Sequence, residues 1–230
     1  LHQTWRNLNP GMPATLLDDA AAAAFVRRFY GAAVYRIYKA YPLGVMRADF
    51  FRYAVLYARG GIYADVDTEC LQPVARCSFV AALENDADMC QWVIASAPGH
   101  PILRSVLRVV LESVQSGLDC QDPHMVHVLT GPAAWTVGIR QALHLPANTT
   151  AAGIARAVWT NSTVYAAARQ LRACFVAADL FGQVGDTPAQ NVRNLYSSQW
   201  GDEDGPNSPW TLAREQLEAE LKASTGRSMQ

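Results

Sequence analysis

Charge is scarce in this chain and nearly balanced: Asp, Glu, Lys and Arg make up 17% of 230 residues and the net charge is −1. With a sequence pI near 6.6, the surface casts no long-range field over a polyanion, which excludes nucleic-acid binding driven by bulk electrostatics. Long apolar runs are missing as well. The alanine stretch Ala20 to Ala24 is too short, and too closely flanked by Asp18, Asp19, Arg27 and Arg28, to cross a bilayer, and no signal peptide is visible. Cysteine is sparse and unpatterned. The five residues Cys70, Cys77, Cys90, Cys120 and Cys174 include no Cys-x-x-Cys pair and no Cys/His spacing that would bind zinc, and an odd number cannot all pair within one chain.

Hydrophobic residues, by contrast, make up 50% of the sequence, enough to bury one sizeable core, so residues 1–230 read as a single domain. The organising stretch runs from Arg47 to Asp67. Phe50, Tyr53, Ala54 and Tyr57 recur at helical spacing, whereas Asp49, Arg52 and Arg59 fall mostly off that stripe, which predicts a helix with one polar face. Gly60-Gly61 then supplies the backbone freedom to stop the helix and turn, and Ile62-Tyr63-Ala64 suits a short buried strand. That strand ends in two carboxylates. Asp65 and Asp67, one residue apart, point the same way on an extended strand and can share one cation; as hard oxygen donors they suit Mg²⁺ or Mn²⁺. Without its preceding helix and strand, an Asp-x-Asp reads first as a solvated turn.

The pattern Arg47-x-Asp49-x-x-Arg52-Tyr53, followed by Gly60-Gly61-Ile62-Tyr63-x-Asp65-x-Asp67, closely resembles glycosyltransferases with the DXD sugar-binding region (family 32), and within them the family of the fungal initiating α-1,6-mannosyltransferase. The resemblance implies an α/β protein of the GT-A glycosyltransferase fold, a Rossmann-like mixed sheet flanked by helices. It implies that Asp65 and Asp67 hold Mn²⁺ or Mg²⁺ against the donor diphosphate, that Asp49 and Arg52 fix the donor sugar's hydroxyls, and that Arg47 helps to neutralise phosphate. His2-Gln3-Thr4-Trp5 resembles the family's opening strand and loop beside the nucleotide, which makes His2, Gln3 and Thr4 donor-side residues, together with Tyr53. No side chain need act as a nucleophile, since the metal stabilises the charge on the departing diphosphate.

Further along, Thr15 and Asp18 predict a helix N-terminus, with the helix running to about Tyr30. Val34 to Tyr38 reads equally as strand or helix. Phe79 to Leu83 predicts a buried strand, and Glu84 and Asp86 at its end are acceptor-side candidates, Glu84 with a catalytic role, because ligands collect at the carboxyl ends of strands in open sheets. The segment Cys90-Gln91-Trp92 to Pro98-Gly99-His100-Pro101 looks very like the mannosyltransferase branch. Pro101 opens a helix striped by Leu103, Val106, Leu107, Val110 and Val114, with His100 a structural residue before it. Thr130-Gly131-Pro132 opens another, whose N-terminus could face phosphate, although capping alone accounts for the residues. Ala173 to Ala178 predicts a late strand, and Ser208-Pro209 caps a last helix to about Ala223.

One motif departs from the family. In Asn194-Leu195-Tyr196-Ser197-Ser198-Gln199-Trp200 the family's histidine pair is replaced by Asn194 and Leu195; Trp200 is kept as a donor-side residue. The metal shell is then completed by Asn194, Ser198 or water, or the cation is held loosely. The function the resemblance implies is metal-dependent, retaining transfer of mannose from GDP-mannose to a mannose-containing glycan or glycolipid in α-1,6 linkage. Two alternatives stay open: a UDP-sugar donor carrying galactose, glucose or N-acetylglucosamine, and a non-catalytic glycan-binding subunit of a mannosyltransferase complex. The sequons at Asn148 and Asn161 favour a secretory lumen, and the expected setting is the Golgi lumen, with an N-terminal anchor or signal segment outside this chain.

Overall fold

The computed structural model describes residues 2–66, 68–70, 74, 77–115 and 124–176. The order of elements along them is α1 (His2–Leu8), α2 (Asp19–Ala40), α3 (Gly44–Arg59), β1 (Gly61–Ala64), β2 (Phe79–Leu83), β3 (Met89–Ser96), α4 (Pro101–Gln115), α5 (Met125–Leu129), α6 (Pro132–Ala142), α7 (Ala151–Thr160), α8 (Ser162–Gln170) and β4 (Ala173–Val176). The sheet order is β1-β3-β2-β4. Strand β3 runs antiparallel to both β1 and β2, and β4 is parallel to β2, so the sheet is mixed, as the resemblance implies.

Both faces of the sheet are covered, which is why its strands are nearly continuous apolar runs. Phe79, Ala81, Met89, Ile94 and Phe175 face a thick helical layer built on α2, α3, α4 and α6. The alternate residues Val80, Ala82, Cys90, Val93 and Ala95 face a thinner cover with Trp5 of α1 and Cys70. A disulfide, Cys77–Cys174, ties the segment before β2 to β4, and Cys70 and Cys90 are buried thiols.

Helix α3 is embedded more deeply than its pattern predicts. Every residue from Asp49 to Ala58 is buried, so the predicted polar face points inward. Its Gly60 C-cap (φ 67°) donates to Leu56 O at 2.7 Å, and Gly61 follows at φ 99°; both are left-handed values that glycine adopts without strain. The chain can therefore reverse from α3 into β1 within two residues.

Three expectations are corrected. His2 to Trp5 forms the helix α1, not a first strand, because Trp5 and Leu8, one turn apart, pack on the sheet's thinner cover. The cap of α2 is Asp18, whose Oδ1 accepts from Ala21 N at 2.7 Å, in place of Thr15. The helix also continues beyond Tyr30: Gly31 (φ 75°) kinks it, and the open segment Val34 to Tyr38 is helical, burying Val34 and Tyr38. The expected helix from Ser208 and the end of the last strand, past Val176, lie outside the described residues.

Helices α4 and α6 cross at Gly138. A Cβ there would sit 2.5 Å from Val106 Cγ2, 2.6 Å from Val106 Cα and 2.9 Å from Val106 N. Gly138→Ala is therefore expected to lower stability by about 1–3 kcal/mol in denaturant titration, the usual cost of overpacking. Val106→Ala should not rescue it, because two of the three clashing atoms are backbone.

Candidate active site

The carboxyl ends of β1 and β2 flank the start of β3. Ala64 pairs with Val93 and Leu83 with Met89, and Asp65 N donates to Trp92 O at 2.9 Å just beyond β1. The reversal at Gly60-Gly61 lays α3 back over this edge, so that Asp49 and Arg52 meet the carboxylate thirteen residues downstream of the arginine.

Arg52 is the centre of the arrangement. It is 4% exposed. Its Nη2 pairs with Asp49 Oδ1 at 3.0 Å, and its Nη1 lies 3.1 Å from Asp65 Oδ1 and 3.2 Å from Asp65 Oδ2. Nη1 also donates to Gln91 O at 2.9 Å, and the Tyr63 ring lies 4.8 Å from the guanidinium carbon, a cation–π contact. Arg52 Nε is buried with no partner among the described residues.

The two carboxylates differ. Asp49 is 1% exposed: its Oδ1 also accepts from Gln91 Nε2 at 3.3 Å, and its Oδ2 accepts from Thr130 Oγ1 at 2.9 Å. Asp65 is 33% exposed on its side chain and accepts from Tyr63 OH at 2.7 Å. Thr68 Oγ1 and N both donate to Asp65 O at 3.2 Å, which fixes the turn after the strand. The Tyr53 hydroxyl is set between Gln91 Oε1 and the Thr130 carbonyl, and its ring stacks on Trp135 at 5.3 Å.

Burial pushes the Asp49 carboxyl above its ordinary value, while Arg52, Thr130 and Gln91 pull it back down. For Arg52, burial acts against the charge, but the surrounding Tyr63, Asp65 and Asp49 outweigh it and the guanidinium stays protonated. Desolvation holds the Tyr53 and Tyr63 phenols neutral, as donors.

The structure thus brings Asp49, Arg52, Tyr53 and Asp65 into one network. Arg47 is half-buried, donates to Tyr41 O at 2.7 Å and lines an adjacent cleft with Leu16, Asp19, Phe51, Tyr63 and Val66. Thr4 Oγ1 accepts from Cys70 N at 3.1 Å, which ties α1 to the segment after Asp65. Gln3 Nε2 is used within α1, on Asn7 Oδ1 at 2.9 Å; His2 lies at the start of α1, its side chain outside the described residues.

Glu84 sits at the end of β2 and shares no hydrogen bond or ion pair with the Arg52 network among the described residues. Its N donates to Asp88 O at 3.0 Å, its Oε2 is buried without a partner among the described residues, and burial, then Asp88, push its carboxyl up. Asp86 is exposed on the same loop, its carbonyl accepting from Ala152 N at 3.1 Å. Asp67, Asn194, Ser198 and Trp200 lie outside the described residues. The residues missed by the sequence reading are Tyr63, Gln91 and Thr130. All three stand inside quoted motifs; a strand role already explained Tyr63 and a cap role Thr130, and Gln91 was read only as part of a family segment.

No three His, Cys, Asp or Glu side chains converge as a metal cage among the described residues. Asp65 fits as one ligand of a divalent cation, being a hard carboxylate at a strand end with its side chain 33% exposed.

Residues 1–87 match the family model of the glycosyltransferase sugar-binding region containing DXD motif. The chain is 34% identical over 171 residues to the initiation-specific alpha-1,6-mannosyltransferase of Schizosaccharomyces pombe, a match spanning 61% of this chain and 43% of that protein. It is 31% identical over 139 residues to the protein of the same name from Candida albicans, across 48% of this chain and 36% of that one. The chain therefore spans less than half the length of these curated relatives. A solved structure described as PaToxG Glycosyltransferase superposes with a TM-score of 0.45 at 18% identity, covering 84% of this chain and 60% of that chain.

Removing Arg52 would leave Asp49 charged, buried and facing no cation. Arg52→Ala is expected to lose about 3–5 kcal/mol at neutral pH. Without the downward pull of Arg52, the folded-state pKa of Asp49 would rise further above its unfolded value, so the folded state binds the extra proton. Stability of the variant relative to wild type should thus be best in acid and fall as pH rises through that raised pKa. Denaturant midpoints from pH 4 to pH 8 for Arg52→Ala, and for its double with Asp49→Asn, check this; the double variant should recover stability at neutral pH.

Proposed function

We propose that this chain is the donor-binding, catalytic part of a retaining glycosyltransferase of GT-A type that transfers mannose from GDP-mannose to a mannose-containing glycan in α-1,6 linkage. The observation that carries the reading is the buried Arg52, its Nε–H without a partner among the described residues, beside the part-exposed Asp65 at the carboxyl edge of a mixed sheet. A buried donor without an acceptor is costly unless a ligand supplies one, and a sugar hydroxyl or ring oxygen does. The family match over residues 1–87 and the names of the two yeast relatives support the sugar-nucleotide and mannosyl parts of the reading.

In this reading Arg52 binds the donor sugar, held in place by Asp49, and Arg47, in the adjacent cleft, balances phosphate charge. Asp65 and Asp67 would hold Mn²⁺ or Mg²⁺, with Asn194 or Ser198 completing the set and Trp200 closing the donor side. Bound there, the cation would stabilise negative charge on the diphosphate as the sugar bond breaks. Asp65 keeps its exposed side for that ligand while Tyr63 and Arg52 fix its orientation. Glu84, separate from the Arg52 network, belongs to the acceptor side. We place the enzyme in the Golgi lumen: the Cys77–Cys174 disulfide suits an oxidising compartment, and Asn148 and Asn161, both in sequons, are exposed.

The test is donor cleavage and transfer with GDP-mannose against UDP-galactose, UDP-glucose and UDP-N-acetylglucosamine, with and without Mn²⁺. GDP-mannose with Mn²⁺ should be preferred, and turnover of a UDP-sugar alone would replace the donor. Asp65→Asn should lower transfer by on the order of a thousandfold, as loss of a charge-stabilising ligand does. The fold should survive, because Asp49 and the Gln91 carbonyl still hold Arg52 and the amide keeps an oxygen for its Nη1. Retained transfer in this variant would remove Asp65 from the metal site.

A further inference from the structure

The Asp49 carboxylate carries more hydrogen bonds than a helix ion pair requires. Two of its donors come from segments distant in sequence. Thr130, 0% exposed between α5 and α6, fixes Oδ2 from 2.9 Å. Gln91, on β3, reaches Oδ1 with its Nε2, receives the Tyr53 hydroxyl on its Oε1 and accepts Arg52 Nη1 on its backbone carbonyl. With 1% exposure, Asp49 presents almost nothing to solvent. Its position is set from three sides, and among the described residues its one charged neighbour at hydrogen-bond distance is Arg52.

We propose that Gln91 and Thr130 are positioning residues for the donor sugar. They lock the plane of the Asp49 carboxylate, and Asp49 in turn sets the direction in which the Arg52 guanidinium presents its Nε–H, which has no partner among the described residues. The inference rests on the reading of Arg52 as a donor-sugar residue and names the groups that act through it. An arginine held at Nη2 by Asp49 and at Nη1 by Asp65 and Gln91 O has both ends fixed, so the Nε–H faces one direction only. Loosening Asp49 frees one end. The sugar is then bound less selectively, while contacts to base and phosphate are untouched.

The variants are Thr130→Val, which keeps shape and removes the donor; Thr130→Ser, which keeps the hydroxyl; and Gln91→Glu, which keeps the acceptor for Tyr53 but turns a carboxylate oxygen toward Asp49. For each, calorimetry with Mn²⁺ measures affinity for GDP-mannose and for GDP, steady-state transfer gives kcat and KM, and thermal unfolding reports the fold. Thr130→Val and Gln91→Glu should lose on the order of tenfold to a hundredfold in the preference for GDP-mannose over GDP and in kcat, the worth of a hydrogen bond to a charged group. GDP affinity should stay at the wild-type value, and Thr130→Ser should behave as wild type. In an Asp49→Asn background the Thr130→Val loss should nearly vanish, because Thr130 acts through that carboxylate.

Unchanged preference and kcat in Thr130→Val, an equal loss in Thr130→Ser, or an undiminished loss in the Asp49→Asn background would overturn the proposal. If Thr130→Val does not fold, Gln91→Glu and Thr130→Ser decide it by the same readings. A wild-type chain that binds GDP but shows no preference for any sugar nucleotide would instead overturn the donor-sugar reading of Arg52, and this inference with it.

Discussion

The structure depends on one desolvated cation. Arg52, buried in the middle of α3, costs several kcal/mol to remove from water, and it stays charged because Asp49 and Asp65 approach from two sides at 3.0 and 3.1 Å. Those two carboxylates belong to different elements, a helix and a strand end. Holding both at the right distance fixes how α3 meets β1. The reversal between them must be short, and Gly60 and Gly61, both at positive φ, make it so. The neighbouring polar groups follow from the same constraint: Gln91, Thr130 and Tyr63 are placed where their hydrogen bonds complete the two carboxylates.

Around this centre the sheet is rigid for ordinary reasons. It is packed on both faces, by a thick layer of helices and by the thinner cover that includes α1, and the disulfide joins the segment before β2 to β4. Strands buried on both sides have little freedom to slip, since a register shift would exchange the two sets of side chains and undo their close packing against different layers. Asp65 and Glu84 are thereby held at the same edge of the sheet, flanking the first residues of β3. A cation at Asp65 would share that carboxylate with Arg52, so metal binding and the setting of the arginine are coupled through one side chain.

The strongest local signals in the sequence correspond to elements that the structure contains. The stripe of α3, the double glycine, the apolar runs of β1 and β2, and the prolines opening α4 and α6 each express a local rule that the tertiary structure keeps. What was not legible is long-range. By periodicity alone Asp49 and Arg52, off the apolar stripe of α3, would face water, and only the family resemblance marked them as site residues; tertiary contact with β1 and β3 buries them, because periodicity cannot tell a polar face turned to water from one turned to a buried network. Trp5 draws residues 2–8 into a helix because it packs against the sheet's thinly covered face, which no local pattern reveals. Thr130 reads as a cap, and only the fold shows its hydroxyl on a carboxylate 81 residues away.

The most direct test of the account is the structure of the chain with Mn²⁺ and an unreactive GDP-mannose analogue. The account predicts a sugar oxygen within hydrogen-bond range of Arg52 Nε, about 2.7–3.2 Å, with Asp49 unmoved against Thr130 and Gln91 and with the cation on Asp65. A donor sugar seated elsewhere, with Arg52 Nε still without an acceptor, would contradict it.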